Sequence, residues 1–155
     1  MPHSVDPSLA VTVTHRYASA PERVYDAWLD TNDVCRWLWI SKSMGVPGEF
    51  VRAEIDAKVG GRFTFVDRRA DGELVHTGRY LALERGKKLA FTWSAPRYSP
   101  DEHQVTLVFA PLLGGCELTL THRMHSDWAD HARHTERAWR TLLAAIAKML
   151  GPHAV

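Results

Sequence analysis

The sequence predicts an α+β fold in which a curved, seven-stranded antiparallel sheet is covered by one long C-terminal helix. Three observations carry that prediction. Seven segments alternate apolar and polar residues with period two. Two short stretches of helical spacing interrupt them, and only after the first segment. Between Asp127 and Leu150, Trp128, Ala132, Thr135, Trp139, Leu142, Ile146 and Met149 step by four and three residues alternately, the stripe of an amphipathic helix. At 1.5 Å per residue that helix would run about 36 Å. A sheet with one apolar face needs a cover, and this helix is the cover at hand.

In order, "LAVTVTHRYA" sets Leu9, Val11, Val13, His15 and Tyr17 on one face of a first strand. "SAPERVYDAWLD" reads as a short helix with Ser19 as its cap, Pro21 in the first turn, and Val24, Tyr25 and Trp28 at helical spacing. Thr31 caps a second helix carrying Val34, Trp37 and Leu38, and "SKSMGVPGEF" breaks it. Val51, Ala53, Ile55 and Ala57 alternate with charged residues, Gly60-Gly61 turns the chain, and Phe63 and Phe65 return, which reads as a hairpin. "ADG" at 70–72 turns into the strand "ELVHTGRYLALE", and "RGKK" leads into "LAFTWSA" with Leu89, Phe91 and Trp93 on one face. After the loop "PRYSPDE", His103, Val105, Leu107 and Phe109 share a face; "PLLG" at 111–114 is the next loop, and Cys116, Leu118, Leu120 and His122 come back on the same parity.

The length of 155 residues suits one domain, residues 1–155 with a core from about 9 to 150, large enough to fold without disulfide or metal staples. No repeat, low-complexity tract or linker divides it. With 19 Lys+Arg against 18 Asp+Glu, the chain lacks the field that holds a phosphate backbone, so no nucleic-acid partner is expected. Cys35 and Cys116 stand apart and outside any C-x-x-C, as reduced thiols of a cytoplasmic protein do. "MPHSVDPSLA" has neither the basic patch nor the apolar stretch of a secretion signal, and no apolar run approaches the ~20 residues of a membrane span.

The inward parity gathers large groups: Tyr17, Phe63, Phe65, Phe91, Trp93 and Phe109 from strands, Trp128 and Trp139 from the long helix, Trp28 and Trp37 from the short ones. They read either as a bulky core or as the wall of a cavity between sheet and helix that takes an apolar small molecule. Arg79 and Tyr80 lie on opposite faces of one strand, and Gly78 beside them suggests a bulge that leaves open which of the two faces the pocket. Asp67 follows Phe63 and Phe65 on the inward parity, where burial would raise its pKa, although Arg68 and Arg69 favour a solvated carboxylate.

The stretch "THRMHSDWADHARHTERAW" holds His122, His125, His131 and His134. With Trp128 at the stripe's centre and about 100° per residue, His131 falls about 60° away at the pocket border and His134 about 120° away in solvent. His125 serves the connection, and His15 sits at the opposite rim. A four-residue loop at 111–114 makes Ala110 face Gly115, which sets His103 opposite His122 on the inward face. Only His103, His122 and His131 could converge on a metal, and neither H-E-x-x-H nor C-x-x-C is present; no metal and no cofactor are expected. Nucleophile-elbow, phosphate-loop and dinucleotide motifs are absent as well.

"APERVYDAWLD…VCRWLW", "AEIDAKVGGRFTF", "LAFTW" and "ERAWRTLLAAIAKML" resemble the activator of heat shock protein 90 ATPase homologue-like family, part of the START-like or polyketide-cyclase-like (SRPBCC) superfamily. The resemblance spans about Leu9 to Leu150, and Val-Gly-Gly-Arg-Phe at 59–63 is its most specific piece. It departs at Ala138, where the family commonly has Gly before the helix tryptophan. The resemblance implies a helix-grip fold, a deep pocket and no fixed catalytic set, among members that range from ligand binders to cyclases. The expected function is therefore non-catalytic binding of a small, mainly hydrophobic ligand, a lipid or an aromatic molecule. Its contacts would be Trp28, Trp37, Phe63, Phe65, Tyr80, Phe91, Trp93, His103, Leu107, Phe109, His122, Trp128, His131 and Trp139. Two alternatives stand beside it: a cyclase- or hydrolase-type enzyme using His122 or His103 as acid–base, and an interaction module. The module would be a chaperone partner or homodimer built on an exposed patch around Trp37 and Trp39.

Overall fold

The computed structural model describes residues 9–97 and 99–151. The expectations for the amino-terminal eight residues and for residues 152–155 fall outside that range. Seven strands form one antiparallel sheet: β1 (Ala10–Tyr17), β2 (Glu49–Ile55), β3 (Arg62–Arg69), β4 (Gly72–Glu84), β5 (Lys88–Trp93), β6 (His103–Leu112) and β7 (Gly115–Arg123). Their spatial order is β1-β7-β6-β5-β4-β3-β2, so the chain runs as a meander from β2 to β7 and β1 closes the far edge beside β7. The helices α1 (Pro21–Asp26) and α2 (Thr31–Ser43) connect β1 to β2, and α3 (Ala132–Leu150) ends the fold. This is the helix-grip architecture. No described helix is long and apolar enough to cross a membrane.

Both short helices start differently from the sequence expectation. The cap of α1 is Ala20, not Ser19, and it makes no side-chain bond; Pro21 in the first turn has no N–H to satisfy and presets φ, so a polar cap is dispensable. At α2 the cap is Asp30, whose carboxylate accepts the Asp33 N–H at 3.0 Å, and Thr31 is the first helical residue. Trp28 lies in the turn between these helices. Trp37 donates from Nε1 to the carbonyl of Ala27 at 2.8 Å, which clamps α2 to that turn. Trp37 is thus buried, and of the expected exposed pair only Trp39, 68% accessible, meets solvent.

The long terminal helix is two elements. Ser126–His131 wind as a 3-10 helix before α3 begins at Ala132, so α3 spans 19 residues, about 28 Å. His125 caps the first element by accepting the Asp127 N–H at 3.1 Å, and the Trp128 N–H bonds back to the His125 carbonyl, three residues away. Three residues per turn changes the facing: Trp128 and His131 stack one above the other, and the 100° reckoning does not apply to them. The buried stripe of α3 is Trp139, Leu142, Leu143, Ala145, Ile146 and Met149. It lies against β1 and α2, and the Tyr17 hydroxyl donates to the Leu143 carbonyl at 2.9 Å, tying the helix to the sheet's edge strand.

The β6–β7 hairpin corrects the expected register. Leu112 pairs with Gly115, and Val105, not His103, stands opposite His122. The turn is two residues, Leu113-Gly114, with Gly114 at φ +82°. Pro111 does not end the strand. Phe109 sends its N–H to the Lys87 carbonyl, so the nitrogen of Pro111, two residues on, points to the same side, beyond the last β5–β6 pair, where no strand needs a donor.

Candidate functional site

An aromatic layer fills the space between the sheet and α3. Trp28 lies 5.2 Å from Trp37, 6.3 Å from Phe91 and 6.2 Å from Trp139, centroid to centroid. Phe63 touches Phe65 at 5.0 Å, Phe91 at 5.3 Å, Tyr80 at 5.5 Å and Trp93 at 5.9 Å, and Trp93 meets Trp139 at 5.1 Å. The rings come from β3, β4, β5, the connection between the short helices, α2 and α3, which is why period-two parity and helical spacing together located them. Tyr80, not Arg79, faces this layer; Arg79 is exposed and pairs with Glu102. Leu107 is buried further along the sheet between Leu89 and Leu120, and Phe109 packs on Tyr25 at 5.7 Å.

Trp28, Phe63, Phe65, Tyr80, Leu89 and Phe91 line a void of about 10 Å³, room for about one water molecule. The roomy interior expected there is occupied by the protein's own rings. One polar atom in this wall is unsatisfied: Trp28 Nε1 is buried with no hydrogen-bond partner.

From Trp139 a polar chain leads outward. Trp139 Nε1 donates to His122 Nδ1 at 2.8 Å, and His122 Nε2 lies 2.9 Å from His103 Nδ1. The pair expected from direct opposition therefore forms diagonally, because the register differs by two residues and parity is kept. His103 stands at 4.6 Å and 88° to Trp128, whose Nε1 donates to Asp101 at 2.9 Å. His131 is exposed and touches only the Trp128 ring of this group, at 5.3 Å, rather than the interior; His134 is exposed. His15 meets Tyr17 at 4.6 Å near the other end of the sheet.

Burial, reinforced by His103 and His76, pushes His122 down to about 3. Burial also lowers His103, against the pull of Asp101. His76, stacked on Trp93 at 4.7 Å, is pushed down by burial to about 4, with Asp67 opposing. Sequence reading missed His76, although it shares the parity of Leu74 and Tyr80. It also missed Lys42. The Lys42 ammonium bonds Asp67 and the Pro47 carbonyl, with Arg69 3.5 Å from the same carboxylate, so Asp67 is buried and paired rather than solvated. No pattern in the sequence joins α2 to β3 at that point. Burial lowers Lys42 from its ordinary value, and the Asp67 contact holds part of it up. Burial pushes the Cys116 thiol up to about 11. Among the described residues no three His, Cys, Asp or Glu gather as a metal site would require.

A family model described as Activator of Hsp90 ATPase homolog 1-like protein matches residues 18–151. No curated protein matches the chain. Among solved structures, a protein of Chromobacterium violaceum is similar at 24% identity and TM-score 0.76, covering 93% of this chain and 98% of that one. A protein of Rhizobium loti is similar at 25% identity and TM-score 0.72, covering 95% and 99%. An AHSA1-like protein from Aeromonas hydrophila, solved in solution, is similar at 20% identity and TM-score 0.74, covering 95% and 99%.

Proposed function

The chain belongs to the Activator of Hsp90 ATPase homolog 1-like family, and from that premise we propose that it binds a small, mainly hydrophobic ligand between its sheet and C-terminal helix. The observation that carries this reading is the Trp28 indole N–H, buried without a partner in a wall that is otherwise aromatic and aliphatic. A buried donor left unmade costs about 1–3 kcal/mol, and Phe at this position would avoid that cost. An oxygen-bearing apolar ligand would recover it. Because the void holds about 10 Å³, binding requires the rings to part, so the ligand selects an open arrangement of this layer. A non-catalytic role fits the buried imidazoles: a general base working near neutrality needs a pKa near 7, and His122 and His76 are held at about 3 and 4.

Native mass spectrometry of the purified protein, before and after organic extraction, tests the proposal. A panel of small apolar molecules would be scored in parallel for shifts in Tm. The expected result is a species removed by extraction, or a panel member that raises Tm in proportion to its concentration. Neither a bound species nor any stabilising compound would reject the reading. Trp39, exposed on α2, favours a second reading as an interaction module. Sedimentation of the protein alone and with the heat shock protein 90 chaperone, wild type against Trp39→Ser, would detect it.

A further inference from the structure

Donor counting along the chain Trp139–His122–His103 assigns both imidazole tautomers. An indole nitrogen can only donate, so His122 Nδ1 is the acceptor and carries no proton. A neutral His122 then holds its proton on Nε2 and donates it to His103 Nδ1. The reverse direction would leave His122 with no proton on either nitrogen. His103, accepting at Nδ1, keeps its own proton on Nε2. That N–H is buried and without a hydrogen-bond partner among the described residues, in a residue 8% exposed. Three linked groups thus end in a donor whose direction is set from the core outward.

A surface element lies against His103. The Trp128 ring stands perpendicular to His103, and Trp128 is half-buried on a 3-10 helix that has no buried residue. A perpendicular ring contact is a weak substitute for a hydrogen bond to oxygen. We propose that His103 Nε2–H is the polar anchor of the ligand site and takes the uncharged carbonyl oxygen of a small apolar molecule, with the Trp128 ring displaced. This rests on the hydrophobic-ligand reading above. The group must be an acceptor because the anchor only donates. It is uncharged because the carboxylate of Asp101, held on Trp128 Nε1, opposes an anion. The remainder of the molecule is apolar because the displaced Trp128 indole borders it on the outer side and the Trp139 indole, behind His122, borders it on the inner side.

The test uses the 15N-labelled full chain at neutral pH with two probes of like size, acetophenone and ethylbenzene, of which only the first carries an acceptor. Ring-nitrogen spectra of the free protein should show His122 and His103 both neutral with the proton on Nε2. Acetophenone should shift the His103 Nε2–H resonance and bind about fivefold or more tightly than ethylbenzene, the worth of one hydrogen bond. His103→Phe should equalise the two probes; if that variant does not fold, the wild-type nitrogen shifts decide. A proton on His103 Nδ1, or a charged His103, overturns the proposal. Equal affinities overturn it too while leaving hydrophobic binding intact, whereas binding of neither probe sinks both.

Discussion

Replacing His122 by Gln isolates what a buried neutral imidazole costs as the pH falls. An unfolded histidine takes its proton near 6.5, and folded His122 takes it only at about 3. Between these values the unfolded chain binds one proton more, so stability rises with pH by about 1.4 kcal/mol per unit. The folded pKa lies below the unfolded one. The sign follows: the stability is whole above 6.5 and is lost as the pH falls towards 3. His122 is 2% exposed, so solvent screening does not discount the effect. From pH 7 to pH 5 the loss is about 2 kcal/mol, roughly 1.5 units below the unfolded pKa at 1.4 each.

The glutamine keeps the direction of the hydrogen bonds, since its amide oxygen can accept from Trp139 and its amide nitrogen can donate to His103. Imperfect geometry should cost about 1 kcal/mol at pH 7. Below that pH the variant lacks one titrating histidine, while His103 and His76, also lowered, act with the same sign in both proteins. The two stability curves should therefore cross. Urea unfolding followed by tryptophan fluorescence, at half-unit steps from pH 7 to pH 5, gives both curves. The wild type should lead at pH 7 and trail by about 1 kcal/mol at pH 5. Parallel curves would refute the claim that His122 is buried neutral.

Trp37→Phe removes the indole donor from the Ala27 carbonyl and should lower stability by about 1–3 kcal/mol in urea unfolding, with α2 affected first in amide exchange. Lys42→Met leaves the buried Asp67 carboxylate with Arg69 alone at 3.5 Å and should cost about 2–3 kcal/mol, read as a drop in Tm. Gly78→Ala would set a methyl 1.9 Å from the Thr92 carbonyl oxygen and 2.7 Å from the Phe63 ring, so β4 or the aromatic layer must shift. A loss of about 2–3 kcal/mol is expected from chemical denaturation.

Parity and helical spacing were legible in the sequence, and contacts set by turn geometry were not. Alternation located Phe63, Phe65, Phe91 and Trp93 on one face because facing depends only on whether a residue number is odd or even. Register depends on the turn, and Pro111 suggested a longer loop than the two-residue turn that forms. The His103–His122 contact survived that error because a slip of two keeps the face; a slip of one would have sent His103 to solvent. The stripe Val34, Trp37, Leu38 already placed Trp37 inward, and Trp39, two residues on, falls on the opposite side of a helix turning about 100° per residue. The break between the 3-10 element and α3 had no such signal, because apolar steps of three and four fit both windings over one turn.

Facing says nothing of filling, and the difference decides how this interior should be understood. The same alternation serves a hollow sheet and one packed with rings; here the rings meet one another and leave about 10 Å³ between them. A core selected for stability alone has no use for donors without acceptors, since each one costs about 1–3 kcal/mol. Among the described residues three buried donors lack a partner: Arg69 Nε beside the Lys42–Asp67 pair, Trp28 Nε1 beside the void, and His103 Nε2 at the outer end of the Trp139–His122–His103 chain. Phe in place of Trp28 would keep most of the apolar surface and remove one unsatisfied group. If the layer only packed, Trp28→Phe would be neutral or stabilising and would leave ligand binding unchanged. If the layer opens for an apolar molecule, the same substitution raises Tm of the free protein while weakening acetophenone and ethylbenzene alike, since the difference between these two probes is held at His103. Local violations of packing rules concentrate where function competes with stability, and this pair of outcomes separates the two.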